Sequence, residues 1–181
     1  MQFRNSEQRY GLVAVIMHWL VAITVIGLFM LGVWMTSLTL YHPWYVRAPY
    51  LHKSIGLLLF VVMILRLVWR LLNPPPAPLP TYTRFERVTA ALVHGGLYLL
   101  LFAVMIAGYL ISTADGHSVE SFGWFTLPAT ITSIPDQEDV AGEIHEVLAF
   151  ILIGLAVLHA AAALKHHFID RDNTLRRIVG R

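Results

Sequence analysis

Four histidines, His18, His52, His145 and His159, sit in long apolar stretches of this chain. A neutral imidazole in such a setting offers a nitrogen to a metal or a site to a proton relay. His145 and His159 are fourteen residues apart, which on an α-helix is about 21 Å of rise and about 40° short of four full turns. Both project from one helical face at two depths. His52 opens the second apolar stretch as His145 opens the fourth, and these two run in the same direction. His18 lies a few residues into the first stretch, which runs the opposite way and brings it level with His159. The sequence therefore predicts two pairs, His52/His145 and His18/His159, at separate levels. A lone helical histidine is more often a hydrogen-bonded core residue; four at matched depths are the donor set of two b-type haems, each iron taking an axial nitrogen from either side. Ligation also explains their tolerance in lipid, where an unpaired polar group is costly.

Two further spacings fit. Gly32 follows His18 by fourteen residues and Arg66 follows His52 by fourteen. Gly32 then lies at the outer haem's depth, where a missing side chain leaves room for a porphyrin or lets helices approach closely. Arg66 lies at the inner haem's depth, with Arg70 a turn further on. It pairs with a haem propionate or simply marks a positively charged membrane side. Gly56 and Gly154 are candidates for similar clearance.

The elements that must carry these residues are helices across a membrane. Of the 181 residues 57% are hydrophobic and only 13% charged, against about a quarter charged in soluble domains. Four stretches, near Gly11–Met35, Leu51–Leu72, Ala90–Ser112 and His145–His167, reach the roughly 20 residues that cross a bilayer. The expected fold is all-α, one integral membrane four-helix bundle forming a single domain over residues 1–181. The first stretch is too long for a signal-peptide apolar region and lacks a clear small-x-small exit. The chain has no cysteine, which excludes disulfides, thiolate-bound clusters and covalently attached c-type haem.

Lys and Arg set the orientation. Arg4 and Arg9, then Arg66, Arg70, Arg84 and Arg87, then Lys165, Arg171, Arg176, Arg177 and Arg181 gather on one side, leaving Arg47 and Lys53 on the other. The positive-inside rule places both termini in the cytoplasm. The second connection holds the run Pro74-Pro75-Pro76-Ala77-Pro78-Leu79-Pro80, a stiff extended spacer. The third, near 113–144, has Asp115, Glu120, Asp136, Glu138, Asp139 and Glu143 but no Lys or Arg. Trp34, Tyr41, Trp44, Tyr45 and Tyr50 fit an interfacial aromatic belt. No nucleic-acid partner is expected.

Met17-His18-Trp19-Leu20, Leu51-His52-Lys53-Ser54-Ile55-Gly56, Ile144-His145-Glu146, and the run from His159-Ala160-Ala161 through Leu164-Lys165-His166-His167 to Asp172-Asn173-Thr174-Leu175 resemble the bacterial cytochrome b561 family over nearly the whole chain. The order and spacing of these pieces are specific; any one alone is weak. The resemblance implies a di-haem cytochrome of the bacterial inner membrane that exchanges electrons with ubiquinone. One type in the family is a superoxide oxidase, which oxidises superoxide on the periplasmic face and reduces ubiquinone. His166 matches a position associated in that type with the quinone site. The acidic third connection is less family-like and leaves the outer partner open.

Read on their own residues, His94, His166 and His167 sit towards the cytoplasmic side and with Trp69 can line a quinone pocket, which needs donors for the carbonyls and apolar walls. The plainer reading of His166 and His167 is interfacial residues at a helix C-terminus. Lys53, beside His52, with Arg47 nearby, can draw a small anion such as superoxide to the outer haem, or serve as a propionate partner or membrane-edge anchor. The acidic connection opposes such steering and suits a basic periplasmic redox donor. The leading expectation is a superoxide:ubiquinone oxidoreductase with electrons passing from the outer haem to the inner one. A haem-bearing anchor that wires a dehydrogenase or hydrogenase to quinone is the alternative, and a histidine-based ion carrier, which would be colourless, is a third.

Overall fold

The computed structural model describes residues 2–179; Arg181, counted above with the basic residues, lies outside the described residues, as do Met1 and Gly180. Four long helices follow one another, α1 (Leu12–Thr36), α2 (Arg47–Leu72), α3 (Arg84–Ser112) and α4 (Gln137–Phe168). A two-stranded hairpin, β1 (Val119–Ser121) and β2 (Phe125–Leu127), sits between α3 and α4, and a short α5 (Thr174–Ile178) follows α4. All four long helices are long and apolar enough to cross a membrane.

Three helices start before the apolar stretches do, because their first turns are polar and reach beyond lipid. Helix α3 opens on a capping box in which the Thr83 hydroxyl accepts from the Glu86 N–H and the Glu86 carboxylate accepts from the Thr83 N–H, each satisfying an otherwise orphaned donor. Helix α4 opens with Glu138 and Asp139 in its first turn, where carboxylates complement the helix dipole. Helix α2 takes Pro49 in its first turn, where no backbone N–H is needed.

The buried core is thin. Val21 of α1, Leu59 and Met63 of α2, Leu101 of α3 and Leu152 of α4 form its centre. The large side chains around it point outwards, with Ile23 68%, Leu99 71% and Val157 62% exposed. In water such a surface is an aggregation hazard; in a bilayer it is the solvated one. Helix α3 packs chiefly on α4 and α1 chiefly on α2; α2 also meets α3, while α1 touches α4 only sparsely. The bundle is therefore two helix pairs with a loosely packed seam between them.

The hairpin turns through Phe122 and Gly123, both at positive φ, and registers Ser121 opposite Phe125. It plugs onto α2. The Ser121 hydroxyl donates to the Ser54 carbonyl at 3.0 Å, and both serines are fully buried. Phe122 meets the Tyr50 ring edge-on. At the opposite, terminal end, the N-terminal arm, the proline-rich linker and α5 interlock. Asn5 Nδ2 donates to the carbonyls of Asn73 and Pro74, Arg177 to those of Gln8 and Ala77, and the Trp19 indole to that of Ile178. Gly11 is required here, since a Cβ would stand 2.4 Å from the Arg4 backbone.

Candidate functional site

The four histidines meet two by two across the seam. The ring centroids of His52 and His145 are 6.0 Å apart at 71° between planes, and those of His18 and His159 are 6.4 Å apart at 67°. With metal–nitrogen bonds of about 2 Å and about 1.1 Å from each nitrogen to its ring centroid, two imidazoles flanking one iron stand about 6.3 Å apart. Both pairs fit that span, and the planes are free to turn about the N–metal–N axis.

At the loop end, His145 Nδ1–H donates to the Val104 carbonyl at 2.8 Å. That bond fixes the tautomer and leaves the Nε2 lone pair free, the arrangement that supports metal-ligating histidines generally. His52 Nδ1 is buried with no hydrogen-bond partner. Two glycines shape this level. A Cβ at Gly108 would stand 3.1 Å from His145 Cε1 and 3.2 Å from its Nδ1; a Cβ at Gly32 would stand 3.3 Å from His52 Cε1. Gly32 is at the expected depth, and what it makes room for is the imidazole of His52. Gly108 carries no sequence signal beyond being a small residue in an apolar helix. At Gly56 and Gly154 a Cβ meets nothing within 4 Å. Lys53 is exposed on α2, next to His52.

At the terminal level, Arg66 Nη2 lies 3.1 Å from His18 Nδ1. A guanidinium can only donate, so His18 accepts at Nδ1 and carries its proton on Nε2. Ligation through Nε2 requires Arg66 to release it. Arg66 already has a second seat, over the Tyr98 ring at 5.5 Å, which it shares with Arg70 at 5.8 Å. His94 stands edge-on to His159 with centroids 5.1 Å apart, too close for an iron between them. His94 thus belongs to the His159 level, whereas His166 lies seven residues, about 10 Å, further along α4.

Around His166 the end of α4 folds back on itself. Its Nδ1 lies 2.8 Å from Asp170 Oδ2 and 3.1 Å from Asp172 Oδ2, although neither oxygen lies in line with the ring N–H. Tyr82 from the linker covers the imidazole, centroids 4.9 Å apart, and its hydroxyl bonds that of Thr174. Burial holds the Tyr82 phenol above its ordinary pKa. Trp69 Nε1 and His167 Nδ1 are buried without partners among the described residues. Sequence reasoning marked His166, His167 and Trp69 but missed Asp170, Asp172 and Tyr82, which reach the site through a turn and a linker that carry no periodic signal.

Known proteins resemble the chain over its whole length. The family profile described as prokaryotic cytochrome b561 matches residues 9–181. "Cytochrome b561 homolog 2" of Escherichia coli (strain K12) is 51% identical over 181 residues, covering 100% of this chain and 96% of that protein. "Probable superoxide oxidase CybB" of Yersinia pestis is 30% identical over 96% of this chain and 97% of its own length. "Cytochrome b561 homolog 1" of the same Escherichia coli strain is 31% identical over 72% of this chain and 73% of its own. Matched in sequence from end to end and built of four apolar helices with paired histidines between them, the chain belongs to the prokaryotic cytochrome b561 family, haem-binding membrane proteins of electron transfer.

Proposed function

We propose that the protein is a single-domain, di-haem b oxidoreductase of the bacterial inner membrane that takes electrons at its loop end and delivers them to ubiquinone at its terminal end, with superoxide as donor. The carrying observation is the pair of histidine couples at two levels, 6.0 and 6.4 Å between centroids. His52 and His145 hold one haem and His18 and His159 the other. When bound, haems there would supply one-electron carriers. The chain's own part is to fix their axial nitrogens, through the Val104 carbonyl for His145, and to offer the Arg66 and Arg70 cations to propionates. Lys53, exposed beside His52, meets a small anion arriving at that end. Two buried ring nitrogens without partners among the described residues, Trp69 Nε1 and His167 Nδ1, match the polar contacts a quinone head needs, and His166 lies in the same helix end. The basic residues gathered at the terminal end support a cytoplasmic side for it by the positive-inside rule.

The balance is two superoxide anions and one quinone with two protons giving two dioxygen molecules and one quinol. Inward electron flow against a negative-inside potential costs about 2.3 kcal/mol per 100 mV for a full crossing, which a strong reductant can meet. The relative from Yersinia pestis, whose name includes superoxide oxidase, supports the donor. The acidic residues of the loop end, Asp115, Glu120, Asp136, Glu138, Asp139 and Glu143, favour a second reading, a haem-bearing subunit that docks a basic redox partner.

The deciding experiment is a reduced-minus-oxidised spectrum of purified protein, followed by stopped-flow mixing with superoxide with and without quinone. Two low-spin b-type components that superoxide reduces and quinone reoxidises are the expected result. A protein without porphyrin sinks the whole reading. Haems that superoxide leaves oxidised sink the donor alone and shift weight to the docked-subunit reading.

A further inference from the structure

The turn after α4 wraps two carboxylates around His166, in the last turn of that helix. Arg171 stands at φ +55, a left-handed bend that reverses the chain, and the Asp172 N–H then donates to the carbonyl of His166 itself at 3.1 Å. Each carboxylate has a second partner. The Thr174 N–H donates to Asp172 Oδ1 at 2.8 Å, turning Oδ2 to His166. Lys165 Nζ holds Asp170 Oδ2 at 2.7 Å while its other contact, Glu86 Oε1, is at 3.4 Å. The lysine is the cation between Asp170 and Glu86, so the cluster's geometry is that of an ion-pair network and not of a metal site.

Both acids address the same ring nitrogen, Nδ1. Carboxylates beside Nδ1 favour a proton on that nitrogen electrostatically and leave Nε2 as the nitrogen that can face a reactant. The exposure of the side chains forms a gradient, Lys165 at 46% and Asp170 at 30%, then His166 at 15% and Asp172 at 9%. Water reaches Asp170, while Asp172 anchors from inside. Tyr82 closes the ring's face. The titratable groups facing His166 are thus Asp170 and Asp172 from the turn, Lys165 from α4, Glu86 from α3 and Tyr82 from the linker.

We propose that Asp170 and Asp172 are positioning residues for proton delivery to the quinone, acting through His166. This rests on the quinone-reduction reading above. Turning a quinone into a quinol takes two electrons, which arrive from the donor through the protein, and two protons, which must come from the water at this end. His166 Nε2–H gives its proton to a quinone oxygen. That step leaves the neutral ring with its proton on Nδ1, beside Asp170 and Asp172; the two carboxylates hold the ring and stabilise the imidazolium that re-forms when water returns a proton to Nε2.

The test uses holoprotein in liposomes with a short-chain ubiquinone, comparing D170N, D172N, the double variant, D170E and H166A. The readouts are kcat and KM for quinone across pH, quinone binding to the oxidised protein, and haem content. Expected are unchanged haem content and quinone binding, kcat in the double variant lower by about 10²-fold, the scale of a lost acid–base group, a changed pH profile, and rescue by D170E. If H166A reduces quinone at the parent rate, the quinone reading itself fails. If H166A is impaired while D170N/D172N keeps the parent kcat and pH profile, this proposal is overturned and the quinone reading stands. Should the double variant fail to fold, D170N alone decides, since its carboxylate is the more exposed of the two: parent kcat and pH profile there overturn the proposal.

Discussion

Gly108→Ala is a one-methyl perturbation whose effect follows from the geometry around His145. The new Cβ would stand 3.1 Å from His145 Cε1 and 3.2 Å from Nδ1, whereas an ordinary carbon contact is about 3.5–4.0 Å. The ring must retreat by roughly 0.3–0.5 Å. It cannot do so freely, because Nδ1 is held on the Val104 carbonyl at 2.8 Å, one turn away on the same helix. Metal–ligand distances tolerate only about ±0.2 Å. The substitution therefore strains either the hydrogen bond, worth about 0.5–1.5 kcal/mol, or the axial bond, and losses of this kind cost about 10–100-fold in metal affinity. Alanine also favours helix over glycine by roughly 0.5–1 kcal/mol, so thermal stability is a poor reporter and haem occupancy a good one. The assay is haem per protein with a potentiometric titration. The expected outcome is loss of amplitude from the component held by His52 and His145, with the other unchanged. Gly32→Ala, whose Cβ meets His52 at 3.3 Å, should act in the same direction but less, and Gly142→Ala, with nothing within 4 Å, should be silent. Parent-like amplitudes for both components in Gly108→Ala would refute the argument that this ring is a fixed ligand.

Further outcomes follow from other contacts. Replacing His52 or His145 by alanine should remove one haem and keep the other, and loss of both or neither, by pyridine haemochromogen, contradicts the pairing. Arg66→Gln should lower the midpoint potential of the component held by His18 and His159 by on the order of tens of millivolts, because a nearby cation favours the reduced, less positive iron; an unchanged or raised potential excludes Arg66 as its electrostatic partner. Ser121→Ala removes the hydroxyl's bond to the buried Ser54 carbonyl, which keeps its intrahelical donor, at a cost of about 0.5–1.5 kcal/mol, and should make the 113–136 connection more sensitive to limited proteolysis. Cleavage at the parent rate would mean that the hairpin is held by other contacts.

The spacing of His18, His52, His145 and His159 was readable because helices convert residue offsets into depth and azimuth, and the apolar background marks which offsets matter. Gly32 and Arg66 come from the same conversion, and a Cβ at Gly32 would meet the His52 ring first. Contacts between helices leave no such mark in residue offsets. Nothing in the local pattern distinguishes Gly108 from other small residues of α3, or tells that the Val104 carbonyl is the one His145 reaches. His94 was set beside His166 by its side of the membrane alone, and the packing of α3 on α4 puts it against His159. The hairpin was unreadable for another reason: its strands are three residues each, and it is held to α2 by one buried serine pair. Asp170 and Asp172 depend on a left-handed residue, Arg171, that is not a glycine and so gave no warning.

The interlock at the terminal end has a consequence for how the molecule is made. Trp19, near the beginning, bonds to Ile178, near the last described residue, and Arg177 bridges back to Gln8 and Ala77. Segments that leave the insertion machinery first therefore wait, unfinished, for those that leave it last. Until α5 docks, the Trp19 indole and the Gln8 and Ala77 carbonyls lack these partners, so the first helix and the linker reach their final packing only after α4 has been inserted.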